Sequence, residues 1–154
     1  MTNYLRLLLS ALLLVSVTAL QATEITVDNP WIRAAPPNAP ALAAFMRLTN
    51  NTDKEIKLES VSGKGYERIE LHRTVDVDGM MKMMKQSFIP IPAKGSTVLK
   101  PGSWHIMLIK PESVPEMETN VALTLYFSNG VDIEINAKVK VGKMAHKHVM
   151  PASE

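Results

Sequence analysis

Four side chains in this sequence have the types and spacing of a soft metal site: His72, Met83, His105 and Met107. Imidazole nitrogen and thioether sulfur are both uncharged donors. Zn(II), Mg(II) and Ca(II) favour harder or anionic ligands, so two imidazoles with two thioethers suit Cu(I). Only the imidazoles compete with protons, so such a site is expected to weaken near the unperturbed histidine pKa of about 6.5. The whole composition leans the same way. There are 10 methionines and no cysteine. His105, His146 and His148 each lie within two residues of a methionine, and His72 precedes the methionine-rich run Met80-Met81-Lys82-Met83-Met84.

What must hold these groups is a set of strands. A turn centred on Asp78-Gly79 pairs Val77 with Met80, then Thr74 with Met83 and His72 with Lys85, counting outward. Side chains alternate between sheet faces, so His72, Thr74, Met83 and Lys85 share one face while Ile69 and Leu71 take the other. By the same rule His105 and Met107 project together, opposite Trp104, Ile106 and Leu108. Both His-Met pairs therefore face away from the bulk of the core, and they supply four ligands if the two strand ends meet. Met46, between Phe45 and Leu48, reads as core filler; Met80, Met81 and Met84 read as filler or as a soft rim.

The rest of the chain after residue 22 repeats this period of two between Pro, Gly, Asn and Asp punctuation. Expected strands are 25–27, 31–34, 42–50, 56–61, 68–74, 80–89, 96–99, 105–110, 121–128 and 131–141. The segment from Ala35 to Pro40 is a loop, because its prolines cannot donate to a ladder. A second tight turn falls at Asn129-Gly130. With no helical periodicity and no βαβ signal, the fold class is all-β, a Greek-key β-sandwich or partly open barrel in a single domain.

The first residues indicate export. Arg6 precedes an apolar run from Leu7 to Leu20, interrupted by Ser10, Ser16 and Thr18, and small residues around Ala19 and Ala22 offer cleavage sites. This is the pattern of a secretory signal peptide over residues 1–22, too short and broken for a good membrane anchor. Nor is there a cysteine for lipid attachment. Removing 22 of 154 residues leaves 132, enough for one domain with a real core, here 23–141, followed by a tail at 142–154. The expected location is the periplasm, with no stable membrane insertion after cleavage. Thioethers suit that compartment, where thiols oxidise. The whole chain carries a formal charge of only +2, which argues against a nucleic-acid partner.

The spacing of His72, ten residues, Met83, twenty-one residues, His105, one residue and Met107 resembles the signature of the periplasmic copper chaperone family PCuAC. So do Pro30-Trp31-Ile32-Arg33-Ala34 with Pro36-Pro37, the Leu71-His72 strand end, and Pro101-Gly102 ahead of Trp104-His105-Ile106-Met107-Leu108. The resemblance spans nearly all of the mature chain. It implies a cupredoxin-like sandwich, a Cu(I) site formed by those four side chains, and delivery toward cytochrome c oxidase copper-site assembly. The acceptor would be an oxidase copper domain or a Sco-type thiol protein, met by a monomer. One departure is that some members carry a methionine soon after the first histidine, where this chain has Arg73 and Thr74.

The tail holds a second cluster, Met144, His146, His148 and Met150, in a segment without strand or helix signals. It resembles the His/Met-rich tails of certain family members. Imidazole suits Cu(II), so His146 and His148 are candidates for Cu(II), with the two methionines beside them for the reduced ion. An electron-transfer cupredoxin is excluded because blue-copper sites need a cysteine thiolate. An enzyme is not expected, since no Ser-His-Asp set or further histidine cluster is evident and Asp76 and Asp78 read as turn residues beside Gly79. A copper-buffering or resistance protein without a dedicated acceptor remains the alternative, and a plain adhesion or binding sandwich is the non-metal one.

Overall fold

A computed structural model describes residues 23–142. The expected signal segment 1–22 and the tail cluster Met144, His146, His148 and Met150 lie outside the described residues. Ten strands make up the domain: β1 (Ile25–Arg33), β2 (Ala41–Asn50), β3 (Ile56–Ser62), β4 (Tyr66–Val77), β5 (Met80–Gln86), β6 (Ile89–Ile91), β7 (Ser96–Leu99), β8 (Trp104–Pro111), β9 (Asn120–Phe127) and β10 (Asp132–Lys140). Among the described residues no helix is long and apolar enough to cross a membrane.

The strands form one continuous sheet in the order β5-β4-β8-β7-β2-β1-β10-β9-β3-β6. Strand β2 switches partners midway: Ala41–Ala44 pair with β8, and Met46–Thr49 pair with β7. The sheet bends over itself, bringing β3 against β4 and β6 against β7 and β2. Between the layers lies a core that includes Ile32, Leu48, Leu58, Leu71, Ile106, Leu108, Leu125 and Val139. The all-β, single-domain expectation holds, and the sandwich is built from one folded sheet.

Two boundaries differ from the sequence reading for local reasons. The expected strands at 25–27 and 31–34 are one strand, because a bulge between Asp28 and Trp31 lets the ladder pass Pro30, with Asn29 at a φ of 48°. The expected strand 80–89 is two. After Gln86 the chain leaves β4, and residues 89–91 pair with β3 at the opposite end of the sheet, with Pro90 on that outer edge.

The first hairpin follows its turn chemistry. Asp78 and Gly79 have φ of 54° and 79°, both left-handed as a type I′ turn demands, and Val77 pairs with Met80, Thr74 with Met83 and His72 with Lys85. The second hairpin is looser than a two-residue primed turn. Only Gly130 is left-handed, and its N–H donates to Phe127 O while Phe127 N–H donates to Val131 O, giving a three-residue loop with a glycine bulge.

Candidate metal centre

Strands β4 and β8 position the two histidines. Leu71 on β4 and Ile106 and Leu108 on β8 enter the core, which forces their neighbours His72, His105 and Met107 to the other face. The antiparallel register then makes His72 and His105 direct cross-strand partners, with ring centroids 5.8 Å apart and planes tilted by 48°.

That face is not simply solvated. His105 lies away from the main core, as its strand position implies, yet is only 3% exposed. An aromatic patch on the same side of the sheet covers it: the Phe45 ring lies 6.4 Å from the His105 ring, and Trp31 lies 4.7 Å from Phe45. Phe45 is on the opposite face of β2 from Leu42, Ala44, Met46 and Leu48, outside the main core cluster. A hydrophobic wall thus stands behind the histidine pair.

Hydrogen bonds set the tautomer of each ring. His105 Nδ1 lies 2.9 Å from the carbonyl oxygen of Ser103, an acceptor, so Nδ1 carries the proton and Nε2 keeps its lone pair. His72 Nε2 lies 2.9 Å from Glu70 Oε2, so Nε2 donates to the carboxylate and, in the neutral ring, Nδ1 keeps the lone pair. Both free nitrogens, His72 Nδ1 and His105 Nε2, are buried without a partner. An unpaired buried polar atom costs about 1–3 kcal/mol. Buried Asn50, by contrast, is fully engaged: its amide donates to Lys54 O and Ile91 O, and its carbonyl accepts from Thr52. Two adjacent imidazoles with bare lone pairs and their other nitrogens anchored have the arrangement that orients imidazoles toward a metal.

Glu70 was missed by sequence reasoning, although its spacing two residues before His72 on a strand is the signal that puts it on the same face. It accepts from His72 and from Lys85 Nζ at 2.9 Å, and Arg68 Nε lies 3.2 Å away. The hydrogen bonds from His72 and then Lys85 lower its carboxyl pKa to about 2, keeping it ionised. Burial pushes His105 below its ordinary value, opposed in part by the hydrogen bond to the Ser103 carbonyl. The imidazole of His105 is thereby biased toward its neutral, metal-binding form.

The methionines flank this pair. Met107 stands opposite Glu70 on β4 and Ala43 on β2, one step along β8 from His105, and is half-buried. Met83 stands opposite Thr74, one step along the other way, on edge strand β5, and is 56% exposed. All four expected residues therefore share one face of three adjacent strands, β5, β4 and β8, with the methionines on opposite sides of the histidine row. Unbranched methionine, with three rotatable bonds, can close such gaps. Among the described residues no group of three or more His, Cys, Asp or Glu is placed to hold a metal. Met46 is buried core filler as expected, whereas Met80, Met81 and Met84 are exposed and form a rim.

Comparison with known proteins agrees with this architecture. Residues 25–139 match the family described as "Putative lipoprotein LpqE-like". The chain is 29% identical over 121 residues to "Putative lipoprotein Lxx21020" of Leifsonia xyli subsp. xyli, covering 78% of this chain and 72% of that protein. It is 30% identical over 99 residues to the protein RP573 of Rickettsia prowazekii, of whose length it spans 54%. Among solved structures, the copper-bound PCuAC domain from PmoF2 superposes with a TM-score of 0.66 at 19% identity, covering 78% of this chain and 95% of that domain, a likeness of fold. The Cu(I) form of DR1885 from Deinococcus radiodurans superposes with a TM-score of 0.65 at 30% identity, covering 80% of this chain and 83% of that one. By the family match over most of its length, and by likeness to these domains in fold and sequence, the chain belongs to the LpqE-like family of PCuAC-type proteins.

Proposed function

We propose that this protein is an exported copper chaperone that binds Cu(I) through His72, Met83, His105 and Met107 and passes it to an acceptor in the periplasm. The observation that carries this reading is the pair of buried, unpartnered nitrogens, His72 Nδ1 and His105 Nε2, on directly paired residues with a thioether on either side. Such a site holds a soft monovalent ion without having to lose a proton, provided the imidazoles are neutral. The copper bound by the PmoF2 domain and by DR1885 supports it, and the lipoprotein character of the family and of the Leifsonia relative supports export.

Neutral thioethers, one of them on an exposed edge strand, permit stepwise displacement by a partner's thiolates, so transfer to a cysteine-pair site runs downhill. The acceptor we propose is an oxidase copper domain or a Sco-type thiol protein, in the service of cytochrome c oxidase assembly. The tail cluster Met144, His146, His148 and Met150 is proposed as a secondary site that takes Cu(II).

Two measurements test this. Anaerobic Cu(I) titration against a competing chelator should give one tight site, lost in His72→Ala and weakened in Met107→Ala. The loaded protein, mixed with an oxidase copper domain, should then lose its copper to it. Tight binding without transfer would make the protein a buffer; no binding at all would leave a plain β-sandwich.

A further inference from the structure

The rim of β5 holds a thioether that the four-ligand site does not use, Met81, beside one that it does, Met83. Met81 and Met83 are separated by one residue, so both project from the His72 face of the sheet, opposite Asp76 and Thr74 respectively. Met80 and Met84, opposite Val77 and Arg73, project from the other face. All four side chains are exposed, and among the described residues no strand pairs with the outer edge of β5.

The rim methionines and the histidines differ sharply in exposure. Met81 is 62% exposed and Met83 56%, whereas the His72 side chain is 15% exposed and His105 only 3%. The side chains of Met81 and Met83 are thus open to solvent, whereas both free imidazole nitrogens are buried. Apolar exposure on this scale has no packing rationale, since these side chains support no core.

We infer that Met81 and Met83 form an outer two-thioether station for a soft monovalent ion, Cu(I) or Ag(I), through which the ion enters and leaves the His72–His105 site. This rests on the reading of that site as a Cu(I) site. The step is ligand exchange with no change of oxidation state. The bond to Met81 sulfur breaks as the bond to a histidine nitrogen forms, Met83 sulfur stays bound throughout, and no proton moves because a thioether has none to lose. Exit runs the same way in reverse, presenting a two-coordinate ion at an open edge where an acceptor's thiolates can reach it.

The test compares Met81→Leu with Met80→Leu in the full chain, since leucine keeps size and apolarity while removing the sulfur. In parent protein loaded with one equivalent of Cu(I), 13C-methyl spectra should show Met83 and Met107 shifted. In His105→Leu, whose inner site is lost, one equivalent of Ag(I) should move Met81 and Met83 together and leave Met80 and Met84 in place. Withdrawal of Cu(I) by excess chelator, followed by stopped flow, should be about tenfold slower in Met81→Leu with the one-site affinity unchanged, a rate effect without an equilibrium one. Met80→Leu should match the parent. Equal rates in Met81→Leu and parent would overturn the station, as would an equal slowing in Met80→Leu, which would assign the effect to exposed apolar surface. If Met83 and Met107 stay unshifted at the first equivalent, the four-ligand site itself fails and the outer station falls with it.

Discussion

Glu70 Oε2 accepts the Nε2 proton of His72 at 2.9 Å, and by doing so it assigns Nδ1 as that ring's free donor. The arrangement is held in turn by Lys85 and Arg68, both on Oε1 of the same carboxylate. Carboxylate-to-imidazole bonds of this kind orient a ligand and fix its tautomer before a metal arrives.

Replacing Glu70 with alanine should therefore weaken Cu(I) binding by about 10–100-fold while leaving the fold intact. Competition against a chelator measures the affinity, and 15N spectra of the His72 ring report its tautomer. Glu70→Gln, whose side-chain oxygen can still accept from Nε2–H, should recover much of the loss. Unchanged affinity in the alanine variant would reduce Glu70 to a surface charge.

His105→Leu should bind no Cu(I) at the main site yet fold more stably than the parent without metal. The substitution removes a buried unpaired Nε2, whose burden is about 1–3 kcal/mol. It also removes the hydrogen bond to Ser103 O, but that carbonyl still accepts from Thr74 N–H at 3.1 Å. For a domain of this size a gain of about 1 kcal/mol raises Tm by roughly 3–6 °C. Thermal unfolding of both proteins in chelator checks it; a lower Tm in the variant would mean that the imidazole contributes to packing more than its bare nitrogen costs.

Much of the site was legible before any fold was known, because half of it is local. The Asp78-Gly79 turn sets the register of β4 and β5, and that register places Met83 one pleat from His72. What periodicity lacks is a means of choosing which distant strands pair. Nothing in the residues around His105 says that β8 lies beside β4, nor that His72 and His105 meet directly and not one pleat apart. The burial of His105 was hidden for the same reason, since Phe45 and Trp31 reach it from β2 and β1. Bulges and short edge strands escaped too: Pro30 reads as a strand break until Asn29 is seen to absorb it, and β6 is only three residues long.

Gly79→Ala should destabilise the hairpin without any steric clash. Nothing lies within 4 Å of where the new Cβ would stand, so its cost comes entirely from the left-handed φ of 79°, about 1–2 kcal/mol for a residue with a Cβ. Because among the described residues β5 pairs only with β4, the loss should appear as faster amide exchange over residues 80–86, with β8 unaffected. Cu(I) affinity should fall with it, since Met83 is carried by that strand. Uniform exchange throughout the domain would show that β5 does not open separately.

Acid should act on His105 later than on an ordinary histidine. Burial lowers its folded pKa below the reference value, which is about 6.5 in the unfolded chain. Between those two values the unfolded chain binds more protons than the folded one, so this group's contribution to stability is complete above about pH 6.5 and is lost as pH falls through that window. For the metal the sign is favourable. A neutral His105 keeps its Nε2 lone pair below pH 6.5, so proton competition at this ligand begins at a lower pH than a solvated imidazole would allow. Following the His105 Cε1 proton by NMR in the metal-free protein, and Cu(I) affinity across the same range, tests both statements. A midpoint at or above 6.5 would show that the aromatic wall of Phe45 and Trp31 does not exclude water from the ring.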